Sequence, residues 1–392
     1  MEKRLPVMNI GLVGHVDHGK TTLVQALTGK WVDTHSEEMR RGITIKLGYA
    51  DLDIYYCPSC NLYSATPKCK YCFGDCEFRK AVSLLDAPGH ESLLAIVLTG
   101  ASLIDAALLL IAANEKCPQP QTIEHLRALE IAGINKIIIV QNKIDLVTKE
   151  RALEHYNEIK EFVKNTIAEN APIIPVSAQQ GINIEYLLEA IDNYFEPPKK
   201  EENKEPIFLI ARSFDANKPG TNLDNLKGGV IGGTLLQGKL KVGEEIEILP
   251  GVFHEGRIIP LKTKILNIQQ RGFNLAEVNP YGLVGIETSL DPWITKNDKL
   301  AGNLAGHVGK LPPIKSEIEI DYKLFENFDL KKGERVMISC LVNRSLGIIE
   351  KIANDKAEIK LSLPICAKEG TKISLSKQIA GRWCLIGYGR II

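Results

Sequence analysis

The stretch Gly14–Thr22, GHVDHGKTT, follows the apolar run MNIGLVG and leads directly into TTLVQALTG. Gly14, Gly19, Lys20 and Thr21 satisfy G-x-x-x-x-G-K-[ST] in a strand, turn and helix setting, where glycines let backbone N–H groups turn inward around phosphate oxygens. The helix that follows, expected to end at Gly29, adds the positive end of its dipole. Lys20 offers a mobile ammonium to the outer phosphates, and the Thr21 hydroxyl is a ligand for Mg2+. His15, Val16, Asp17, His18 and Thr22 complete the loop. The two histidines read as shaping it rather than reacting, while Asp17 either touches a cation or holds the turn.

A phosphate cradle of this kind requires a surrounding sheet, and the first half of the chain supplies its strands. MNIGLVG, AVSLLDAPG, AALLLIAANE, KIIIVQNK and APIIPVSA are apolar runs that end in polar or glycine-rich turns. Strands buried on both faces and separated by helical patterns imply a mostly parallel sheet with helices on both faces. Helical spacing is visible at Leu153, Tyr156, Ile159, Phe162, Val163 and Ile167, and again at Ile184, Leu187, Leu188 and Ile191. EHLRALEIAG closes on Gly133, a left-handed helix cap by expectation.

Further motifs fall at the ends of these strands. Asp86 opens DAPG, where a carboxylate reaches Mg2+ through water and the Gly89 amide approaches a γ-phosphate. Asn142, Lys143 and Asp145 form NKID at the carboxyl end of a strand, the edge at which open α/β sheets bind ligands. A carboxylate there accepts hydrogen bonds from the N1–H and 2-amino group of guanine, which selects GTP and GDP over adenine nucleotides. Ser177, Ala178 and Gln179 complete the base pocket with backbone donors. Thr44, in RRGITIK, joins the Mg2+ only while a γ-phosphate is present, making residues 31–46 an order–disorder switch. His90, directly after Gly89, is placed to orient the attacking water. Lys20, Thr44 and His90 are the candidate catalytic set.

The 392 residues suggest two or three domains at about 150 residues each. With 44% apolar and 24% charged residues the composition is globular. The 48 basic and 48 acidic residues cancel, so bulk attraction to nucleic acid or anionic membrane is excluded and any RNA contact must be local. The start of the chain shows no apolar stretch of signal-peptide length, and the reading is cytoplasmic. Ser92–Ala113 approaches the length of a membrane span, but Gly100 and Asp105 interrupt it. It reads as a helix, a turn and a buried strand, with no membrane role.

EPPKKEENKEP, residues 196–206, has no apolar side chain beyond proline and reads as a linker. After it come short alternating stretches punctuated by glycine and proline, among them GGVIGGTLLQGKLKVGEEIEIL, TKILNIQQ, GLVGIET, SEIEIDY, RVMISCLV, AEIKLSLP and TKISLS. This is an all-β half, expected as barrels because closing a sheet protects its edges. The expected division is a nucleotide-binding domain over 1–200 with an insertion at about 55–77, then β-barrel domains over 206–309 and 311–392.

That insertion carries Cys57, Cys60, Cys69 and Cys72, two C-x2-C knuckles eight residues apart. Four thiolates close a tetrahedral structural site, with Zn2+ the usual occupant; redox sensing is the alternative, and Cys76 is a competing fifth thiol. The nine cysteines cannot all pair, and a reducing compartment fits them best. Cys117, Cys340, Cys366 and Cys384 read as buried apolar thiols.

With GHVDHGKTT, RGITI, DAPGHE, NKID and SAQ in order before β domains, the chain resembles translational GTPases of the elongation factor Tu type. WVDTHSEEMRRGITIKLGYAD, the inserted knuckles, ANEKCPQPQTIEHL, SFDANKPGTNLDNLKGGVIGGTLLQGKLKVGEEIEILPG and SKQIAGRWCLIGYG make the likeness narrower. They resemble the family of gamma subunits of archaeal and eukaryotic translation initiation factor 2, and an archaeal-type chain in particular. The resemblance implies a three-domain GTPase that carries methionylated initiator tRNA to the small ribosomal subunit when bound to GTP and releases it after hydrolysis, as the core of a heterotrimer with alpha and beta subunits. It implies a tRNA contact at Tyr49 and, with no arginine finger evident, slow intrinsic hydrolysis. The alternatives are another tRNA carrier, such as a selenocysteine-specific elongation factor, and a non-hydrolysing scaffold stabilised by zinc.

Overall fold

The structure is a computed structural model describing residues 4–29, 48–86, 101–217, 220 and 226–392. It comprises two compact units, Met1–Pro198 and Lys199–Ile392.

In the first unit β1 (Asn9–Gly14) leads into α1 (Lys20–Thr28), which ends on Gly29 in the left-handed conformation, as its sequence implies. Next come β2 (Gly48–Cys57), β3 (Leu62–Ser64), β4 (Glu77–Asp86) and β5 (Ala106–Ala112). Then α2 (Pro120–Ala132) stops at Gly133, whose φ of 82° only glycine adopts readily. The unit continues with β6 (Ile137–Asn142), α3 (Lys149–Val163), β7 (Ile173–Pro175) and α4 (Ile184–Tyr194). The sheet order is β3-β2-β4-β1-β5-β6-β7. The five strands legible as apolar runs, β4, β1, β5, β6 and β7, are mutually parallel. The antiparallel arm β2–β3, whose half-buried alternation the apolar runs do not reveal, extends the edge.

All seven positions of β5 are buried, so helices must cover both faces. Leu23, Leu27, Leu187 and Ile191 of α1 and α4 share one core with Ile10, Leu12, Leu108 and Val140. Each fully buried aliphatic side chain contributes about 1.5–3 kcal/mol. The buried face of α4 is the one its spacing predicts. The face of α3 matches only in part. It buries His155, Ile159 and Val163, leaves Leu153 58% exposed, and ends before Ile167. A histidine takes the place of an apolar anchor because Gln141 bonds its ring at 3.1 Å. Among the described residues no helix is long and apolar enough to cross a membrane, and Ala106–Ala112 of the ambiguous apolar stretch is the buried strand β5.

The second unit is all-β. β8 (Ile207–Phe214), β9 (Val230–Gln237), β11 (Glu245–His254), β12 (Arg257–Gln270), β15 (Val284–Thr288) and β16 (Leu304–His307) close a six-stranded antiparallel ring through the β11–β12 pairing. The short strand β13 (Phe273–Leu275) pairs with β12, while β10 (Leu240–Lys241) and β14 (Glu277–Val278) form a separate two-stranded sheet. A second closed barrel runs β17-β20-β19-β18-β21-β22, built from Ile314–Leu324, Lys356–Cys366, Asn343–Ala353, Arg335–Cys340, Lys372–Ile379 and Arg382–Ile391. Its core is aliphatic, with Ile320, Ile338, Ile349 and Leu375 fully buried.

The proline-bounded polar stretch is anchored rather than free. Glu196 O accepts from Lys136 Nζ at 2.7 Å in the first unit. In the second, Glu201 O accepts from Gly238 N at 2.9 Å, and the Glu205 carboxylate meets His307 Nδ1 at 2.9 Å.

Candidate nucleotide site and metal centre

Gly14, Asp86 and Asn142 are the last residues of three parallel strands, and Ser177 follows the end of a fourth, so the motifs converge on the carboxyl edge of the sheet. The phosphate loop spans that edge. Gly14 has φ 144° and a Cβ there would lie 2.4 Å from Leu110 O; Gly19, with φ 87°, would place its Cβ 2.3 Å from Asn142 Nδ2. Both positions therefore demand glycine. Lys20 is buried, and its ammonium donates to Gly14 O at 2.9 Å and His15 O at 2.7 Å, drawing the loop into a ring around the cradle. Asp17 is exposed at φ 60°, a turn-holding conformation that aspartate tolerates. Val16 and Thr22 are half-buried.

Thr21 Oγ1 donates to the Asp86 carboxylate at 2.6 Å, and Asp86 is fully buried. A hydroxyl and a carboxylate meeting beside a phosphate loop are the hard oxygen donors that Mg2+ prefers, so this pair fits that ion.

Asn142 joins two loops. Its Nδ2 donates to His18 O at 2.9 Å, and its Oδ1 accepts from Ala178 N at 3.0 Å. Lys143 takes the left-handed conformation at φ 63°, turning the chain so that Asp145 stands exposed two residues on. Ser177 is buried and its Oγ accepts from Gln180 N at 3.2 Å, while its backbone pairs with Ile182; Gln179 is exposed. The structure thus brings together Gly14–Thr22, Asp86, Asn142 and Ser177–Ala178. Thr44, Gly89 and His90 lie outside the described residues, as do residues 31–46. Tyr49 stands 48% exposed on β2, its hydroxyl donating to Asp51 at 3.0 Å.

The motif reading omits several residues that hold the loop. His125, on α2, accepts the Gly14 N–H through Nδ1 at 2.7 Å. These residues act beside His18, which the motif reading already makes a loop-shaping residue and which is fully buried. Burial pushes its pKa down to about 4, so the ring is neutral and Nδ1 donates to Leu110 O at 3.0 Å. Glu115 lies 3.4 Å from the other ring nitrogen, and Arg151 binds Glu115 O and the Glu158 carboxylate. Spacing carries no sign of His125, Glu115 or Arg151, because each meets backbone or side chains remote in sequence.

The four thiols Cys57, Cys60, Cys69 and Cys72 lie with all sulfurs within 4.8 Å of one another. Cys57–Cys72 at 3.5 Å and Cys60–Cys69 at 3.9 Å bracket the edge of about 3.8 Å that four Zn–S bonds of about 2.3 Å require. Cys76 is not one of the four. A tight turn closes the second knuckle, Phe73 N donating to Cys69 O at 3.0 Å and Cys69 N to Gly74 O at 2.9 Å. Backbone N–H groups of Cys72 and Tyr71 pull the Cys69 thiol down to about 6, while the hydrogen bond with Cys72 and burial push Cys60 up to about 12. The donor set fits a structural Zn2+, with every position closed by protein.

The insertion grips α4. Tyr71 donates to Glu185 at 2.7 Å, and Lys70 lies 3.4 Å from the same carboxylate. At the helix's other end Lys80 donates to Asp192 O at 2.6 Å and Phe195 O at 3.0 Å, a cation meeting the orphan carbonyls of the C-terminus.

Residues 5–197 match the Elongation factor Tu GTP binding domain family, and residues 316–391 match Initiation factor eIF2 gamma, C terminal. Among solved structures the chain is similar to a bacterial selenocysteine-specific elongation factor, EF-Sec, with TM-score 0.77 and 23% identity; 98% of this chain is covered, spanning 58% of that one. Elongation factor SelB from Methanococcus maripaludis, in complex with the GTP analogue GppNHp, gives TM-score 0.75 at 22% identity, covering 100% of this chain and 80% of that one. At such identities the likeness is one of fold. Fold, cradle and matched domain together define a translational GTPase of the elongation factor Tu type.

Full-length relatives narrow the class. Translation initiation factor 2 subunit gamma of Pyrococcus horikoshii is 52% identical, covering 98% of this chain and 97% of its own; that of Methanocaldococcus jannaschii is likewise 52% identical, with the same coverage. The chain belongs to the translation initiation factor 2 subunit gamma family. This favours the initiation-factor reading over the selenocysteine-factor alternative, which shares the fold at less than half that identity.

Proposed function

We propose that the chain is a cytoplasmic, GTP-switched carrier of methionylated initiator tRNA. It delivers that tRNA to the small ribosomal subunit as the core of a heterotrimer with alpha and beta subunits. The relatives' shared name, a subunit of an initiation factor, supports the partners, and the neutral net charge suits a factor that must release its RNA. Residues 1–200 form the nucleotide domain in this reading, with the barrels at 206–309 and 311–392.

The observation that carries the nucleotide part is the Asn142 bridge. One buried side chain ties the phosphate loop to the loop after β7, leaving Asp145 exposed beside them. In this reading the loop amides and Lys20 hold the phosphates, Asn142 and Lys143 frame the base, Asp145 reads guanine, and Ser177–Gln179 flank it. Thr21, Thr44 and Asp86, the last through water, hold Mg2+, which when bound neutralises charge on the outer phosphates. His90 orients the attacking water, and Thr44 reports the γ-phosphate. Tyr49 meets the tRNA acceptor end. Zn2+ in the four-cysteine site is structural.

The experiment is a pair of titrations. Calorimetry with GTP analogue, GDP and ATP tests the base and phosphate site, and indifference to guanine nucleotides rejects it. Filter binding of methionylated initiator against elongator tRNA, with GTP analogue or GDP and with the alpha and beta subunits, tests the carrier role. Equal retention of both tRNAs in both nucleotide states rejects that.

A further inference from the structure

We infer that His125 is a positioning residue for nucleotide binding, holding Gly14 in the one orientation that leaves the later loop amides to the ligand. The inference rests on the nucleotide reading above and adds a residue outside every motif of the cradle. His125 is buried at 2% exposure and carried on α2, 111 residues from the glycine whose N–H it accepts at 2.7 Å. The carbonyl of the same glycine accepts the Lys20 ammonium at 2.9 Å. Both polar groups of Gly14 are therefore committed inside the protein, at a φ of 144° where a Cβ would lie 2.4 Å from Leu110 O.

The contact assigns the ring's protonation. A backbone N–H only donates, so Nδ1 carries no proton and the ring hydrogen sits on Nε2. Burial, reinforced by the neighbouring Lys20 cation, pushes the imidazole down to about 3, so the acceptor stays in place throughout the neutral range. Remove it and a buried N–H is orphaned, which a chain avoids by turning the peptide towards another acceptor. Lys20, tied to the next two carbonyls, then loses its anchorage. Only the fraction of molecules with the loop in register binds, and the apparent Kd rises by the inverse of that fraction.

Three variants of the full chain separate hydrogen bonding from packing. His125→Asn keeps an acceptor at the branch position of Nδ1, His125→Leu fills the space without one, and His125→Gln sets its acceptor one bond farther out. Calorimetric titration with GDP and a non-hydrolysable GTP analogue, with thermal unfolding recorded alongside, should find His125→Leu and His125→Gln weaker for both nucleotides by about tenfold, and His125→Asn within about threefold of wild type. The wild-type 15N spectrum should show the Gly14 amide proton coupled to His125 Nδ1. A folded His125→Leu protein binding within about twofold of wild type, or an Asn variant no better than Leu, overturns the inference. So does absence of the Gly14–His125 coupling, which decides the matter even if His125→Leu fails to fold. A wild-type chain that ignores GDP rejects the nucleotide reading itself, whereas wild-type binding with an indifferent Leu variant rejects this inference alone.

Discussion

Replacing Asn142 by alanine removes two hydrogen bonds at once, Nδ2 to His18 O at 2.9 Å and Oδ1 from Ala178 N at 3.0 Å. Both partners lie on buried residues, His18 at 0% and Ala178 at 5% exposure, so water does not replace what is lost. Losing the bond to His18 O costs about 1 kcal/mol net, and losing the one from Ala178 N costs the desolvation of its orphaned N–H, about 1–3 kcal/mol, giving a total near 2–4 kcal/mol. Expressed wholly in binding, that is a loss of about 30- to 1,000-fold in GDP affinity. Part of it will appear as lower stability of the chain, because both bonds join parts of the protein to one another. Urea unfolding and calorimetric GDP titration should therefore be run on the same preparations and their losses summed. Asn142→Asp sharpens the test: it retains an acceptor for Ala178 N but sets a carboxylate oxygen against the His18 carbonyl, so it should damage the phosphate-loop side selectively. If Asn142→Ala loses less than about 0.5 kcal/mol in each measurement, the bridge does not couple the two loops and the argument built on it fails.

Asp145→Asn should shift preference from guanine towards xanthine nucleotides; an unchanged GTP preference in competition binding removes Asp145 from base reading. His90→Ala should keep nucleotide and tRNA affinity but slow ribosome-stimulated hydrolysis by about a hundredfold, and an unaltered rate excludes it from catalysis. Cys69→Ser should lower zinc below one equivalent by elemental analysis and expose the insertion to protease, while a zinc-free wild type discards the metal reading. His307 sits between Glu205 at 2.9 Å and Glu244 at 3.3 Å; burial alone would lower its pKa, but hydrogen bonds to the two carboxylates raise it. Its contribution is therefore fully present below the unfolded value of about 6.5 and is lost as pH rises through the higher folded value. The group is 35% exposed and screened, so the effect is about 0.5 kcal/mol. His307→Gln should cost more melting temperature at pH 5.5 than at pH 8.5, and equal losses would refute the ion pair.

The parts of the fold legible in the sequence are those where geometry permits few residue types. Gly14 and Gly19 occupy backbone conformations and close approaches that any Cβ would break, so the cradle is written in its glycines. Strands β1, β5 and β6 are buried at every position and read as apolar runs, with polar residues only at Asn9, Gln141 and Asn142. By contrast, β2 is half-buried and alternates, and helix α3 buries a histidine where the apolar spacing suggests Leu153. The polar stretch before the barrels looks like free linker because its ties are backbone carbonyls and the carboxylates of Glu202 and Glu205, whose partners composition does not reveal.

The same distinction separates the site residues found by motif from those found only in the fold. A motif residue presents its group to a ligand of fixed shape, which constrains both its identity and its spacing. A supporting residue presents its group to the protein's own backbone, and any element passing within reach will serve. His125 and Glu115 hold a loop formed 97 or more residues earlier, and the knuckle hairpin holds α4 through Glu185, two residues beyond the Asn183 cap that follows the base-side loop. The cysteine insertion is thus bonded to α4, and the Asn183 cap of that helix directly follows the Ser177–Ile182 turn, so the four-thiol hairpin and the loop after β7 meet at the same helix end.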